Sequence, residues 1–442
     1  MVSRNAYVTL SNSVKGMLRI GQTGQVLARL GLRWLRGDRP ELPRLLRQTF
    51  EELGATYIKL GQFIASSPSL FPESYVEEFQ GCLDRTEPVP FATLKQVIEE
   101  DLGRPTETLF RSIEPLPLAS ASIAQVHAAV TTSGDTVVIK IQKPGVANIL
   151  VSDLNFLYLT ARVVEKLFPQ VKFASLSAIV EEIQACMMEE VDFLKEANNI
   201  RQFQTFLTRT GNTQAIVPRV YGELSGRRVL TMERFYGVPL TDLESIRRFA
   251  PEPSLTLITA MNTWFASLTQ CEAFHADLHA GNLMVLTDGR IGFIDFGIVG
   301  RIEPETWKAT MQFIESLSEG DVDMMASSMV KIGMTKRQVD LKRLKADIRA
   351  IHHLFNKMDT DAMMSSMMND QQVNRMLLDI VAVGERHGIR FPRAFALLLK
   401  QVLYFDRYIK ILAPDMNMFD DSRLDFVMAE LPLMPLDSHF TI

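Results

Sequence analysis

From Glu41 onward the apolar residues recur at helical spacing. Leu42, Leu45, Leu46, Phe50, Leu53 and Tyr57 follow i, i+3/i+4 steps, and Leu60, Phe63 and Ile64 extend the same stripe until Pro68 and Pro72 end it. Leu94, Val97 and Ile98 predict a second helix over about Phe91–Asp101. The period then shortens. Ala119–Val130 and Thr136–Gln142 read as two strands joined through Ser133-Gly134-Asp135, a hairpin signal. Residues 146–208 return to helix, rich in Leu, Val, Phe and acids, and strand-like runs follow at Ala215–Val220 and Arg228–Glu233. A helix is predicted over 254–272, then a short strand pair, Leu283–Leu286 and Ile291–Ile294, around Asp288-Gly289. Everything after Pro304 has helical texture and is rich in methionine: Met324, Met325, Met329, Met363, Met364, Met367 and Met368, which read as core packing. There is no internal repeat and no low-complexity linker. The order is helices, a strand-rich lobe with helices inserted, then a helical lobe, which makes the fold class α+β.

Composition narrows the class further. The chain has 442 residues, 47% hydrophobic and 22% charged, close to ordinary globular usage and enough apolar material for a sizeable core. Its three cysteines, Cys82, Cys186 and Cys271, are far apart and form no CxxC, which argues against a disulfide framework or a cysteine-rich zinc site. The net charge of −5 carries no nucleic-acid footprint. Residues 1–40 are the exception, with seven Lys/Arg (Arg4, Lys15, Arg19, Arg29, Arg33, Arg36, Arg39) against Asp38, or +6 locally. No stretch approaches about 18 consecutive apolar residues, so no transmembrane helix is expected. The N-terminus lacks the apolar core of a secretory signal. The expectation is a cytoplasmic protein, peripheral to a membrane; a mitochondrial matrix location is the lesser reading of its Arg-rich start.

The chemistry concentrates in His275-Ala-Asp277-Leu-His279-Ala-Gly-Asn282, followed by Asp295-Phe296-Gly297. Asp277 and Asn282 stand five apart, the spacing at which a kinase catalytic loop places its nucleophile-contacting Asp and its metal-binding Asn. Asp295 opens a DFG triplet thirteen residues after Asn282, just past the short strand pair. Divalent ions neutralise the transferring phosphates, and such hard cations take oxygen ligands from Asp and Asn. Val137-Val138-Ile139-Lys140 ends the hairpin and matches the strand lysine that contacts α/β-phosphates, with Glu196 as its helical partner. Where a glycine-rich phosphate loop belongs, the chain reads Ala119-Ser120-Ala121-Ser122-Ile123-Ala124. A Cβ at these positions restricts how closely that backbone can approach a nucleotide. His275 reads as a structural, hydrogen-bonding histidine. Lys59 and Gln62, three apart, share one helical face.

These motifs together resemble the UbiB/AarF family of atypical kinase-like proteins, whose eukaryotic members support coenzyme Q production. The marks, in order, are Lys59-Leu-Gly61-Gln62 (KxGQ), the Ala-rich loop, Lys140, Glu190 with Asp192 (ExD), Glu196, the HxDxxxxN loop and DFG, over roughly residues 40–300. The resemblance implies a two-lobed protein-kinase-like fold that binds ATP with Mg2+. It assigns Asp277, Lys140 and Glu196 to catalysis and Asn282 and Asp295 to the metal. Nucleotide contacts fall to Ala119, Ser120, Ala121, Ser122, Lys140, Met232 and Glu233, the last two on a hinge strand beside adenine. Lys59, Gln62, Glu190 and Asp192 become regulatory, with the KxGQ helix packed over the site where a peptide would lie. Residues 1–40 are then a basic segment and 41–110 a helical extension. Residues 111–235 form an N-lobe-like region with a helical insertion, and 236–442 a helical C-lobe.

Only Ile298–Ile302 separate Gly297 from Glu303-Pro304, which leaves no long activation segment to dock a peptide. The expectation is an atypical kinase or ATPase acting on a small or lipid-like molecule, or hydrolysing ATP, in support of ubiquinone-type lipid metabolism. The alternative is a nucleotide-sensing scaffold at a membrane surface that does not turn over. Partners are then a small-molecule or lipid substrate and an anionic membrane surface, with no nucleic acid; the sequence leaves the oligomeric state open.

Overall fold

The apolar stripe that begins at Leu42 is cut in two. In the computed structural model α1 (Leu42–Leu53) stops at Gly54, whose φ of 96° leaves the helical region, and α2 (Ala55–Ala65) restarts one residue later. Glycine takes that φ without strain. The hydrophobic pattern passes through the break undisturbed, so spacing alone reads it as one helix. With α3 (Glu73–Gln80) these helices form small clusters around Tyr57 and Phe79, where Phe50 packs at 5.6 and 5.2 Å. The structure describes residues 40–65, 73–80, 88–167, 176–333, 339–361, 379–416 and 421–424, except 382 and 385, together with positions 25 and 29. The basic segment, Pro68, Pro72, Cys82 and Met363–Met368 therefore fall outside the described residues, apart from those two positions.

Next come α4 (Phe91–Leu102), α5 (Thr106–Leu109), β1 (Phe110–Ile113), β2 (Ala119–Ser120), β3 (Ala124–Thr131) and β4 (Thr136–Gln142). The predicted strand Ala119–Val130 is thus two strands. The Ala121 N–H donates to Ala124 O at 2.8 Å and folds β2 back onto β3. Three helices follow, α6 (Val146–Leu167), α7 (Leu176–Glu190) and α8 (Phe193–Arg209), then β5 (Ala215–Ile216) and β6 (Val229–Glu233). The run predicted to Val220 shortens because Pro218 has no N–H to give a ladder; Val220 keeps a single bridge to Met232. The first sheet runs β1-β3-β4-β6, all antiparallel, with β2 on β3. Strand period sets its two faces. Val137, Ile139 and Ile141 are buried against Leu94, Val97 and Ile98 of α4, which turns Lys140 to the opposite face.

The second lobe holds β7 (Gly237–Pro239), α9 (Leu243–Phe249), α10 (Pro253–Gln270), β8 (Phe274–His275), β9 (Leu283–Leu286), β10 (Ile291–Phe293) and β11 (Val299–Gly300). It closes with α11 (Pro304–Glu319), α12 (Val322–Ile332), α13 (Leu341–Asp361) and α14 (Arg393–Leu412). Its sheet runs β5-β10-β9-β7, with β10 and β5 parallel, and β8 pairs with β11. One apolar core joins the lobes through Leu150, Ile200, Phe203, Trp264, Phe293 and Phe405. A separate core of Phe313, Met325, Met329, Leu344 and Ile348 takes up two of the three methionines of α12 as packing; Met324 stays half-buried outside it. The fold is α+β and kinase-like, with a helical extension before the first sheet and helices after the second. No helix among the described residues is long and apolar enough to cross a membrane.

Candidate active site between the lobes

Three segments far apart in sequence meet at Lys140. β4 supplies the lysine, on the face turned away from α4. α8 starts at Asp192, whose carboxylate caps it by accepting the Leu194 N–H at 3.2 Å. From that start Phe193, Glu196, Ala197, Ile200, Phe203 and Leu207 form the buried stripe, so a carboxylate only 3% exposed sits among apolar side chains. A buried charge needs a partner. Glu196 receives two bonds from Lys140 Nζ, at 2.9 and 3.0 Å, and the same ammonium donates to Asp295 Oδ1 at 2.9 Å. Burial pushes the Glu196 carboxyl up, and the Lys140 charge opposes it. Desolvation between the lobes would raise Asp295 too, but Lys140 beside it holds it well below the usual carboxylate range. Burial by itself would lower Lys140; the two carboxylates outweigh it and raise it.

Asp295 has a φ of 60°, the one positive φ outside glycine among the described residues. Such backbone is held by its surroundings. Phe296 is fully buried, 5.1 Å from Phe203 and 4.7 Å from the His275 ring, and the Asn199 amide donates to its carbonyl at 3.0 Å. The triplet is thereby anchored on α8, the helix that carries Glu196.

The catalytic loop leaves β8 at His275. That ring accepts the Asp277 N–H at Nδ1 (3.2 Å) and donates from Nε2 to Ile294 O (3.0 Å), tying the loop to the strand that leads into Asp295. Asn282 Nδ2 donates to Asp277 O at 2.8 Å, which leaves its amide oxygen free of that bond and able to coordinate. Asp277 Oδ1 accepts from Lys400 Nζ at 2.9 Å, and Oδ2 lies 3.8 Å from His279 Nε2. Burial alone would raise Asp277; Lys400 and then His279 bring it below its ordinary value. The same helix, α14, adds Gln401, whose amide accepts the Leu278 N–H and donates to Ala276 O, both at 2.7 Å. Tyr408 donates to Leu278 O at 2.6 Å. No motif in the sequence singles out Lys400, Gln401 or Tyr408. The one available signal is Gln401 within the buried stripe of Leu398, Val402, Phe405, Ile409 and Leu412; Lys400 has none, since Asp406, Arg407 and Lys410 share its helix.

Other predicted residues take their own places. Lys59 on α2 pairs with Glu190, the last residue of α7, at 2.8 Å. Gln62 lies one turn on, with its side chain outside the described set. Asp192 is the α8 cap. Ala119 and Ser120 pair with Val126 and Gln125, and Val126 in turn faces Lys140, so the Ala-rich turn stands one strand away from the lysine. Ser122 is 2% exposed, and the Ser120 hydroxyl is buried with no hydrogen-bond partner among the described residues. Met232 is packed in the main core, and the Glu233 N–H already donates to Arg219 O at 2.9 Å.

No group of three or more His, Cys, Asp or Glu placed to hold a metal occurs among the described residues. One carboxylate, Asp295, and one amide oxygen, Asn282, are the donor set that suits a magnesium ion arriving on phosphates and keeping water and phosphate ligands of its own.

Comparison with known proteins shows the family. The model of the ABC1 atypical kinase-like domain matches residues 81–329. An uncharacterised aarF domain-containing protein kinase of Arabidopsis thaliana, named as chloroplastic, is 47% identical over 94% of this chain and 83% of its own length. An uncharacterised protein of Mycobacterium tuberculosis is 35% identical over 92% of this chain and 83% of its own. A probable protein kinase UbiB of Azotobacter vinelandii is 29% identical over 88% and 72%. With the Lys140–Glu196–Asp295 cluster and the Asp277 loop inside the matched span, this chain belongs to the UbiB/AarF family of ABC1 atypical kinase-like proteins.

Proposed function

We propose that this protein is a MgATP-dependent atypical kinase or ATPase acting on a small or lipid-like molecule, in support of isoprenoid-quinone metabolism. The observation that carries it is the Lys140 ammonium clamped between Glu196 and Asp295. A cation fixed there meets the α/β-phosphates of a nucleotide, and Asp295 with Asn282 holds the magnesium that neutralises transferring charge. Asp277, kept ionised, orients or deprotonates the attacking oxygen. Peptide substrates are disfavoured by the chain after the DFG triplet. β11 pairs back onto β8 at once and α11 begins at Pro304, so no long segment lies open to dock a peptide. The link to quinone lipids rests on the family resemblance.

The test is ATP turnover with Mg2+, with and without anionic liposomes and phenolic quinone-precursor analogues. Turnover is expected to require Mg2+ and to rise with the phenol or the liposomes. Asp295→Asn removes a charged oxygen ligand, so it should abolish most of the thermal stabilisation by MgATP while the unliganded protein stays folded. Equal stabilisation of wild type and variant would remove Asp295 from the metal site.

A further inference from the structure

Between His275 and Asn282 the catalytic loop contains no lysine or arginine. The cation on Asp277 comes instead from α14, 123 positions downstream: Lys400 Nζ is 2.9 Å from Oδ1, with the two side chains 14% and 20% exposed. That helix starts at Arg393, well past residue 329, where the family match ends. Its grip on the loop has two parts. Gln401 and Tyr408 hold the backbone on either side of Asp277 and so fix where the loop runs. Lys400 acts on the carboxylate itself. Lys400 and Tyr404 are one turn apart on one face, and the ammonium lies 5.6 Å from the Tyr404 ring centroid, which packs one side of it.

A helix that served only to pack would gain nothing from a largely buried ammonium, because removing it from water is costly unless an opposite charge meets it. Pairing through Oδ1 restrains the carboxylate and leaves Oδ2, which His279 Nε2 faces at 3.8 Å, as the oxygen for an incoming hydroxyl or water. We propose that Lys400 is a positioning residue of this active site, holding the Asp277 carboxylate in its orientation, so that α14 is part of the machinery of the kinase-like domain. The reaction it serves is the one proposed above. α14 is also tied, through α7, to α2, which carries the KxGQ residues. Arg393 reaches Glu189 at 3.3 Å, and the adjacent Glu190 holds Lys59, so the last two residues of α7 join α2 to the helix that aims Asp277.

The experiment compares Lys400→Met, Lys400→Arg, Asp277→Asn and the double variant Lys400→Met/Asp277→Asn in the full chain. In thermal unfolding, Lys400→Met strands a buried carboxylate and should lower Tm more than the double variant does, a non-additive cycle. In ATP turnover per folded molecule, Lys400→Met should lower kcat about 10- to 100-fold with the KM for MgATP within about twofold, because a misaimed group costs rate and not nucleotide binding. Lys400→Arg should recover most of that loss. Additive Tm changes overturn the pair, and unchanged kcat in Lys400→Met overturns the positioning role. A wild type without turnover sinks the proposed function and the positioning role with it; the Tm cycle then still decides the pair.

Discussion

At the scale of single residues, two buried histidines are held in one protonation state by their neighbours. His275 accepts at Nδ1 and donates at Nε2, and His127 donates from Nδ1 to Glu114 O at 2.8 Å with the Gln125 amide against its Nε2 at 3.3 Å. Each ring satisfies both partners only when neutral, and burial lowers both pKa values. The unfolded chain therefore takes up protons below about pH 6.5 that the folded chain refuses, and stability is lost as pH falls through that value. Two such groups give a slope of up to about 2.7 kcal/mol per pH unit, at about 1.36 kcal/mol each. Urea unfolding at pH 7.5, 6.5 and 5.5 measures it, and replacing either histidine with glutamine should roughly halve the slope. A flat profile between pH 6.5 and 5.5 would contradict the assignment. His275 reads as a structural, hydrogen-bonding histidine from sequence, and its bonds to the Asp277 N–H and Ile294 O agree with that reading. His127 has no such context; only the turn of β3 toward Glu114 reveals its partner.

At the scale of elements, the period of β4 and the buried stripe of α8 are legible in sequence, and so is the meeting of Lys140 with Glu196. Glu196 breaks the polarity of its buried stripe, whereas Lys140 keeps the alternation of β4, on the face opposite Val137, Ile139 and Ile141. The Gly54 interruption is not legible, because backbone φ leaves no trace in hydrophobic spacing. The division of Ala119–Val130 into β2 and β3 is hidden for a related reason: alanine and serine suit a strand and a tight turn alike. The contact of α2 with the end of α7 leads to a prediction. Lys59→Ala removes one partner of an ion pair whose side chains are 18% and 14% exposed. It should cost on the order of 1–3 kcal/mol of stability, between the exposed and fully buried limits. If α2 gates the cleft, ATP turnover or autophosphorylation per folded molecule should rise at the same time. A loss of stability with unchanged specific activity would leave α2 a packing element.

At the scale of the whole molecule, charge is divided: residues 1–40 carry +6 and the rest −11. Val14, Met17, Leu18, Leu27, Leu30, Leu32, Trp34 and Leu35 stand among the arginines. Each basic residue near an anionic surface contributes on the order of 1 kcal/mol, and apolar side chains at the interface add to it. Deleting residues 1–40 should abolish co-sedimentation with anionic liposomes, and raised salt should weaken it in the full chain. The competing outcome is that the segment folds back on the acidic body; Arg29 already stands 3.7 Å from Glu52. Equal binding to neutral and anionic liposomes, or none at low salt, would favour that outcome.

What the sequence determined by itself is the set of groups whose relation is local. Asp277 and Asn282 lie on one loop, Asp295 opens the triplet after a short hairpin, and Lys140 lies on a strand of period two. Each is marked by its own short motif, so the chemistry can be read before the fold, although Lys140 meets Asp295 from 155 positions away. What only the tertiary structure decided is which distant side chains complete those groups. Lys400 reaches Asp277 from 123 positions away, Lys59 finds Glu190, and Asp295 is held at positive φ by the seating of Phe296 against α8. Such pairings are set by how the apolar faces of α8, α10 and α14 close on one core. A lysine carries the same local signature on a solvated face as on a face that this core turns toward a catalytic carboxylate.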